Sequence, residues 1–228
     1  MKCLIIFFIL LYIVYKFSKP KKVKVTKLTK KLLNDGYLIV PNMLTCQECD
    51  SILGEIEEVE NGKPKHGNIQ TRKNRKDMMI PVYRVKKYIK KIYEKTEDIW
   101  DYVTPNPILC ECSSLISYPG AKNQLWHSDT EYRDGDANLV SIGILLDNVV
   151  ENMGPLHVKN KGKEIHCIAN KGDMVVWLSS TVHRGSANTS LKRRPVFYFS
   201  LLGSNGNKPK GSTYSLINKK KTIYMEEL

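Results

Sequence analysis

Apolar residues in the N-terminal half of the chain recur at the spacing of amphipathic helices. Leu28, Leu32 and Leu33 share one helical face, and Gly36 follows where a left-handed cap would end the helix. A strand-like run over 37–40 comes next, followed by a second predicted helix over 46–59. A longer amphipathic helix is predicted over 82–103. The polar stretch 61–76 contains glycines and shows no apolar period, so we predict a loop there.

From Ile108 onward the pattern changes to short β-rich runs separated by Gly, Asn and Asp. The predicted strands are 110–118, 137–147, 155–158, 164–168, 173–178 and 195–202. Many short strands of this kind are typical of a sandwich or a barrel. The predicted fold class is therefore mainly β with flanking helices.

Composition supports a single globular domain with tails. The chain has 228 residues, of which 42% are hydrophobic and 26% charged, and such a chain can bury a sizeable core. Its six cysteines are too few to indicate a disulfide framework. Cys46 and Cys49 form a C-x-x-C without a second ligand pair, so a zinc site is not expected there. Thr45 and Glu48 instead predict a capping box at the start of the second helix.

The formal net charge of +13 is concentrated near the N-terminus, where a lysine-rich stretch follows the apolar run Cys3–Tyr15. This placement predicts a membrane anchor over 1–17 and a basic linker over 18–27, in a single-pass protein whose main domain faces the cytoplasm. A cleaved signal peptide and a buried N-terminal helix are the alternatives. No aromatic residues interleave with the basic ones to mark a nucleic-acid groove, so nucleic acid is not an expected partner.

His127 and Asp129 form an H-x-D motif. On an extended segment the two side chains project from the same face, so an imidazole and a carboxylate can reach one metal ion. A third ligand from a distant strand would complete a facial triad that binds iron(II) and leaves positions open. His157, His166 and His183 are the candidates for this ligand.

The open positions of such a centre suit 2-oxoglutarate, whose far carboxylate needs a buried cation, and Arg is best suited to pair with it. Arg194 stands eleven residues after His183, whereas the residues at that interval after His157 and His166 are not basic. This spacing favours His183 as the third ligand. Arg193 would point to the opposite face of the same strand, so the strand register decides between the two arginines.

The chain resembles the phytanoyl-CoA dioxygenase family in a series of short motifs. The matching segments are Gly36–Leu44 with the helix after it, Tyr118-Pro-Gly-x4-Gln124-x2-His127-x-Asp129, Gly154-Pro-Leu156, Gly172–Trp177, and His183 followed by Asn188 and Arg194. Two positions depart from the family pattern. Asn160–Lys163 replaces a Pro-Gly-Ser-His-like turn, and Arg184 stands where many relatives have glycine.

The resemblance implies a double-stranded β-helix of the jelly-roll, cupin-like type over 28–203, with a basic C-terminal tail over 204–228. It implies iron(II) bound by His127, Asp129 and His183, and 2-oxoglutarate bound by Arg194. Dioxygen is the co-substrate, and ascorbate is a candidate reductant. The resemblance further suggests that Gln124 and Tyr118 contact 2-oxoglutarate.

The implied reaction is hydroxylation of an unactivated C–H bond in a small molecule or a lipid or acyl substrate, with release of succinate and CO2. Related halogenases lack the ligand carboxylate, so an intact Asp129 favours hydroxylation. One alternative is a prolyl- or lysyl-hydroxylase acting on protein, in which a tyrosine is also seen at the position of Tyr118. Another is a membrane-tethered binding module without catalysis. The sequence does not indicate an oligomeric state.

Overall fold

The computed structural model describes residues 25–62, 69–130, 139–203 and 223–228. Four helices precede or flank the sheets: α1 (Lys27–Asp35), α2 (Cys46–Glu60), α3 (Val82–Lys95) and α4 (Glu97–Val103). The strands are β1 (Tyr37–Val40), β2 (Ile69–Arg72), β3 (Arg75–Met79), β4 (Ile108–Ser117), β5 (Leu139–Leu145), β6 (Leu156–Asn160), β7 (Lys163–Cys167), β8 (Met174–Leu178), β9 (His183–Gly185), β10 (Arg194–Leu202) and β11 (Ile223–Tyr224). A short 3₁₀ helix, Met225–Glu227, follows β11.

The strands form two antiparallel sheets. The major sheet has the order β1-β8-β5-β10-β4-β3-β2, with β11 paired to β4, and the minor sheet has the order β7-β6-β9. A bridge between His127 and His183 places the segment before Asp129 beside β9. The architecture is a mainly β jelly roll with flanking helices, which confirms the predicted fold class.

The two faces of the major sheet have different roles, and β10 shows this most clearly. Phe197, Phe199 and Leu201 are fully buried in the main apolar cluster, together with the inward faces of the helices. Because successive side chains in a strand alternate between faces, Val196 and Tyr198 point to the other side. Both line the space between the two sheets. The helices therefore cover one face of the major sheet and leave the other free to build a site.

Local sequence signals set the ends of the first two helices. Gly36 adopts a left-handed φ of 77° and its amide donates to Leu32 O, which ends α1 as predicted. The capping box of Thr45 and Glu48 opens α2, so the prediction for the C-x-x-C segment is confirmed. Gly172, in the turn before β8, also adopts a left-handed backbone conformation. Its φ is 88°, and a Cβ there would meet Leu44 O at 2.2 Å.

Two predicted elements differ in the structure. The stretch 61–76 was expected to be a loop, but β2 and β3 form a hairpin across its second part and continue the major sheet. The single helix expected over 82–103 is broken at Thr96, whose φ is −131° and whose hydroxyl donates to Ile92 O. Apolar spacing continues through the break because both helices pack on the same core.

The membrane prediction is wrong. In the described ranges the longest helix has 15 residues, and no helix there is long and apolar enough to cross a membrane. This finding overturns the predicted single-pass localisation, its cytoplasmic orientation and the membrane as a partner. The segment 1–17, on which the prediction was based, lies outside the described residues, as does most of the linker 18–27.

The predicted tail 204–228 is described only over its last six residues, 223–228. There β11 pairs with the start of β4, and Met225 is buried in the main apolar cluster. The described end of the chain is therefore part of the packed structure.

Candidate active site

A cavity of about 430 Å³ lies between the two sheets. Its walls come from the inner faces of β3, β4, β5, β8 and β10 on one side and from the minor sheet on the other. His127, Asp129, His183, Arg194 and Gln124 all line it. The fold thus brings together five of the six site residues that were predicted from the sequence.

His127, Asp129 and His183 form a compact cluster at one side of this cavity. Each offers one ligand atom, and these atoms lie within 4.8 Å of one another. The backbones of His127 and His183 exchange two hydrogen bonds, of 3.0 and 2.8 Å, which bring their rings to a centroid separation of 4.5 Å. Nε2 of His183 lies 3.5 Å from Oδ1 of Asp129.

The hydrogen bonds of the two imidazoles determine which nitrogen is available to a metal. Nδ1 of His127 lies 2.8 Å from Leu125 O, and Nδ1 of His183 lies 2.9 Å from Thr181 O. A carbonyl can only accept, so each Nδ1 carries the proton and each Nε2 keeps a lone pair for a ligand bond. Burial also lowers the pKa of His183, which favours the neutral, metal-binding form.

Two side chains hold one oxygen of the Asp129 carboxylate and leave the other oxygen free. Its Oδ2 accepts from Trp177 Nε1 at 3.1 Å and from Ser141 Oγ at 3.3 Å. Oδ1, which faces His183, is left for a metal. Two imidazole nitrogens and one carboxylate oxygen on one side of an ion are the donor set of non-haem iron(II) sites, so these residues fit the metal.

Arg194 is a buried cation of the cavity wall, which also includes Arg75. It is only 4% exposed, and its Nε has no hydrogen-bond partner among the residues that the structure describes. Burial, and then the charge of Arg75, lower the pKa of Arg194 to about 10, so the guanidinium stays charged at neutral pH. A buried charge without a counter-ion is costly unless an anion pairs with it. This position therefore fits a carboxylate of a ligand.

Arg193 directly precedes β10, and its side chain points to the other side of the sheet. Its guanidinium pairs with Glu57 and lies 3.6 Å from Glu60 Oε2, both on α2 outside the cavity. The register of β10 thus directs Arg194, and not Arg193, to the space between the sheets.

The remaining two predicted contacts have different outcomes. Gln124 reaches the cavity wall, where its Oε1 accepts from the Gly185 amide at 2.7 Å. Tyr118 is not among the cavity-lining residues, and its hydroxyl bonds to Glu60 on α2. Its side chain leaves the sheet on the helix side, where it packs against the main apolar cluster. We therefore do not retain Tyr118 as a contact to the co-substrate.

Several cavity residues were not found by sequence reasoning. Arg75 is one of them: it stands opposite Ser117 of β4, as Arg194 does from the other side, and its Nη2 donates to Ser186 O at 3.0 Å. The side chains of Asp77, Glu111 and Tyr198 form a second group. The only sequence signal for β3 was the alternation of Arg75 and Asp77 in a basic stretch.

The Asp77, Glu111 and Tyr198 group forms a polar wall. Tyr198 Oη lies 3.0 Å from Asp77 Oδ1 and 3.1 Å from Glu111 Oε1, yet one hydroxyl proton can be donated to only one of them. Burial, and then the charge of Asp77, raise the pKa of Glu111 to about 7. A protonated Glu111 can donate to Tyr198 while Tyr198 donates to Asp77, which satisfies all three groups.

Comparisons with known proteins decide the family. The phytanoyl-CoA dioxygenase (PhyH) family matches residues 32–161, more than half of the chain. The chain belongs to this family. It is a 2-oxoglutarate-dependent dioxygenase, and its cofactors are iron(II) and 2-oxoglutarate. The family, the enzyme class and the cofactors predicted from the sequence are confirmed. No curated protein sequence matches the chain.

Solved structures of low sequence identity share the fold of this chain. The epimerase SnoN from nogalamycin biosynthesis, in complex with Fe3+, alpha ketoglutarate and nogalamycin RO, has a TM-score of 0.67 and 12% identity over 82% of this chain and 87% of its own. EvdO2 from Micromonospora carbonacea var. aurantiaca, complexed with 2-oxoglutarate, has a TM-score of 0.60 and 12% identity over 82% and 95%. HygX from Streptomyces hygroscopicus, with nickel, 2-oxoglutarate and hygromycin B bound, has a TM-score of 0.62 and 11% identity over 78% and 88%.

Proposed function

We propose that this dioxygenase hydroxylates an unactivated C–H bond of a polar small molecule. In this proposal His127, Asp129 and His183 hold iron(II), and Arg194 pairs with the far carboxylate of 2-oxoglutarate. The observation that carries it is Arg194: a buried guanidinium whose Nε has no partner among the described residues faces the same cavity as the triad.

The residues of the chain have three tasks in this proposal. The triad fixes the metal on one side, because its Nε2 and Oδ1 atoms are oriented by Leu125 O, Thr181 O and Trp177. Arg194 orients the co-substrate from the far end of the cavity. The apolar wall, which includes Val175 and Val196, excludes water around the reacting atoms. The metal and 2-oxoglutarate supply the oxidising power with dioxygen, and succinate and CO2 are released.

The cavity wall favours a polar substrate over a lipid or acyl chain. Asp77, Glu111 and Tyr198 line the major-sheet wall of the cavity. Ser200 donates to Glu111 Oε2 at 3.2 Å and lies 3.4 Å from the hydroxyl of Ser141, which donates to Asp129. An apolar chain packed against these groups would displace the water that hydrogen-bonds to them and would offer no hydrogen bonds in return. Hydroxyl or amino groups of a polar substrate would replace the hydrogen bonds of that water. In HygX and SnoN, the co-crystallised molecules are hygromycin B and nogalamycin RO.

The runner-up, hydroxylation of a prolyl or lysyl side chain in a protein, loses its main support. That alternative was based on Tyr118, which points away from the cavity towards Glu60. In addition, the cavity cation is an arginine, whereas the protein hydroxylases usually use a lysine.

The experiment is a substrate screen with the full chain, iron(II), 2-oxoglutarate and ascorbate. Pools of polar amines and polyols are compared with pools of fatty acids, acyl thioesters and proline-containing peptides. We expect succinate release to rise with a polar pool, and mass spectrometry to find a product that has gained one oxygen atom. His183→Ala is the control for metal-dependent turnover. Stimulation by the acyl or peptide pools alone would overturn the substrate class, and a product without added oxygen would overturn hydroxylation.

A further inference from the structure

Two histidines that the proposed iron site does not use lie on the other side of the minor sheet. His157 on β6 and His166 on β7 are directly opposite each other in the strand pairing. Their neighbours Leu156 and Cys167 line the cavity, so these two side chains point to the outer face. Their rings are stacked, with centroids 3.7 Å apart and planes 4° from parallel.

Glu151, in the segment that leads to β6, completes a second cluster of two histidines and one carboxylate. Its Oε1 lies 2.7 Å from His166 Nδ1 and 3.8 Å from His157 Nε2. One ligand atom from each of the three residues lies within 4.8 Å of the others. The cluster has the same donor types as the proposed iron site.

The protonation of His157 is fixed from its other side. Its Nδ1 lies 2.6 Å from Glu164 Oε1, and Glu164 also accepts from Arg184 Nη2 at 2.8 Å. A carboxylate paired with an arginine is an acceptor, so Nδ1 carries the proton. The proton on Nδ1 leaves Nε2 with a bare lone pair.

This Nε2 is the atom that requires a ligand. It is buried and has no hydrogen-bond partner within the described ranges, and the His157 side chain is only 7% exposed. The nearest acidic oxygen, Glu151 Oε1, is 3.8 Å away, too far for a hydrogen bond. One metal ion with bonds of about 2.0–2.2 Å to each atom can span such a gap.

We propose that Glu151, His157 and His166 bind a divalent transition ion of the zinc type on the outer face of the minor sheet. Imidazole and carboxylate ligands suit such an ion. Each lone pair lies in the plane of its ring, so one ring must turn out of the stack to share the ion. His166, with 37% of its side chain exposed, has room to turn, while Glu164 keeps His157 in place.

The ion would act as a clip between two parts of the chain. Glu151 belongs to the segment between β5 and β6, and the histidines belong to the β6–β7 hairpin. Val149 from that segment, and Leu156 and Cys167 from the hairpin, form part of the cavity wall. Binding on the outer face therefore fixes residues that shape the inner face.

The test is the stoichiometry of Zn²⁺ bound to the metal-free full chain, measured by equilibrium dialysis with no 2-oxoglutarate present. We expect Glu151→Gln to bind one equivalent fewer than the wild type, with affinity at that site reduced by about 10- to 100-fold or more. Glu151 is 56% exposed and glutamine has the same shape, so this variant keeps the fold. His166→Ala should lose the same equivalent. Cys46→Ser, which removes an exposed thiol elsewhere, should lose none.

A second measurement distinguishes Zn²⁺ binding at the proposed outer site from Zn²⁺ binding at the triad. In the Asp129→Ala/His183→Ala double variant, Zn²⁺ should still raise the melting temperature, because an ion that binds only the folded state stabilises it. Adding Glu151→Gln should remove that rise. The proposal is overturned if Glu151→Gln and His166→Ala bind as much Zn²⁺ as the wild type. It is also overturned if the Cys46→Ser control accounts for the lost equivalent.

Discussion

The two faces of the minor sheet carry clusters of the same composition, each with two histidines and one carboxylate. On the inner face, both Nδ1 atoms donate to backbone carbonyls two residues earlier, at Leu125 and Thr181. On the outer face, the ring nitrogens of His157 and His166 instead contact the carboxylates of Glu164 and Glu151. The inner imidazoles are therefore held by the backbone, and the outer ones by side chains.

This difference teaches what separates a catalytic centre from a binding site with the same ligands. A metal ligand whose orientation is fixed by the backbone cannot turn with solvent or pH, so the positions left open by the protein stay open. The inner cluster also shares its cavity with Arg194, whereas Glu151 and His166 face outward. Ligand type alone would not distinguish the two clusters.

The largest expected effect is on the inner cluster. Removing any one of its three ligands, as in His127→Ala, Asp129→Ala or His183→Ala, should reduce 2-oxoglutarate turnover to background and weaken iron(II) binding. His166→Ala should retain turnover, because the inner cluster keeps its full ligand set. Succinate release and iron(II) titration measure both quantities. If His166→Ala abolished iron-dependent turnover while His183→Ala did not, the roles of the two clusters would be reversed.

The second-largest expected effect is on 2-oxoglutarate binding by Arg194, which shares a cavity with the inner cluster. Arg194→Ala should weaken 2-oxoglutarate binding by about 2–5 kcal/mol, roughly 30-fold or more, because it leaves the far carboxylate unpaired in a buried site. Arg193→Ala is the matched control, since its side chain pairs with Glu57 outside the cavity. Calorimetric titration of each variant measures the difference. A loss confined to Arg193→Ala would transfer the role to that residue.

The smallest expected effect tests the hydrogen bonds that orient the metal ligands. Trp177→Phe keeps the ring packing but removes the Nε1 donor to Asp129, and such changes cost about 10- to 100-fold in metal affinity. Trp126→Phe is the control, because Trp126 stacks on Lys159 and Arg184 outside the inner cluster. Iron(II) titration of the two variants should show a loss for Trp177→Phe alone. Equal affinities would mean that Ser141 suffices to hold Asp129.

The sequence predicted the inner residues because their chemistry is local. The H-x-D spacing places His127 and Asp129 on one face of an extended segment, and alternation separates Arg193 from Arg194. The distal histidine was chosen through its distance in sequence from an arginine and through the family resemblance. The bridge between His127 and His183 is a contact across the chain, and no local pattern indicates it.

The residues that sequence reasoning missed are those whose position depends on strand pairing. Arg75 and Asp77 reach the cavity because β3 joins the edge of β4, and their charges made this stretch resemble a solvated loop. Charged residues are seldom buried unless they are paired, and the polar interior that holds these two could not be predicted. Tyr118 shows the opposite error. It follows β4 directly, but its side chain leaves on the helix side towards Glu60.

The position of β10 in the major sheet affects how the protein is made. Strand β10 lies between β4 and β5, yet it is synthesised after both of them and after the whole minor sheet. Until it leaves the ribosome, β4 and β5 each have an unpaired edge, and unpaired edges promote aggregation. Arg194 is the first residue of β10, so the strand that closes the sheet also adds a buried cation to the cavity. A nascent chain therefore gains protection from aggregation and the proposed co-substrate contact in the same step.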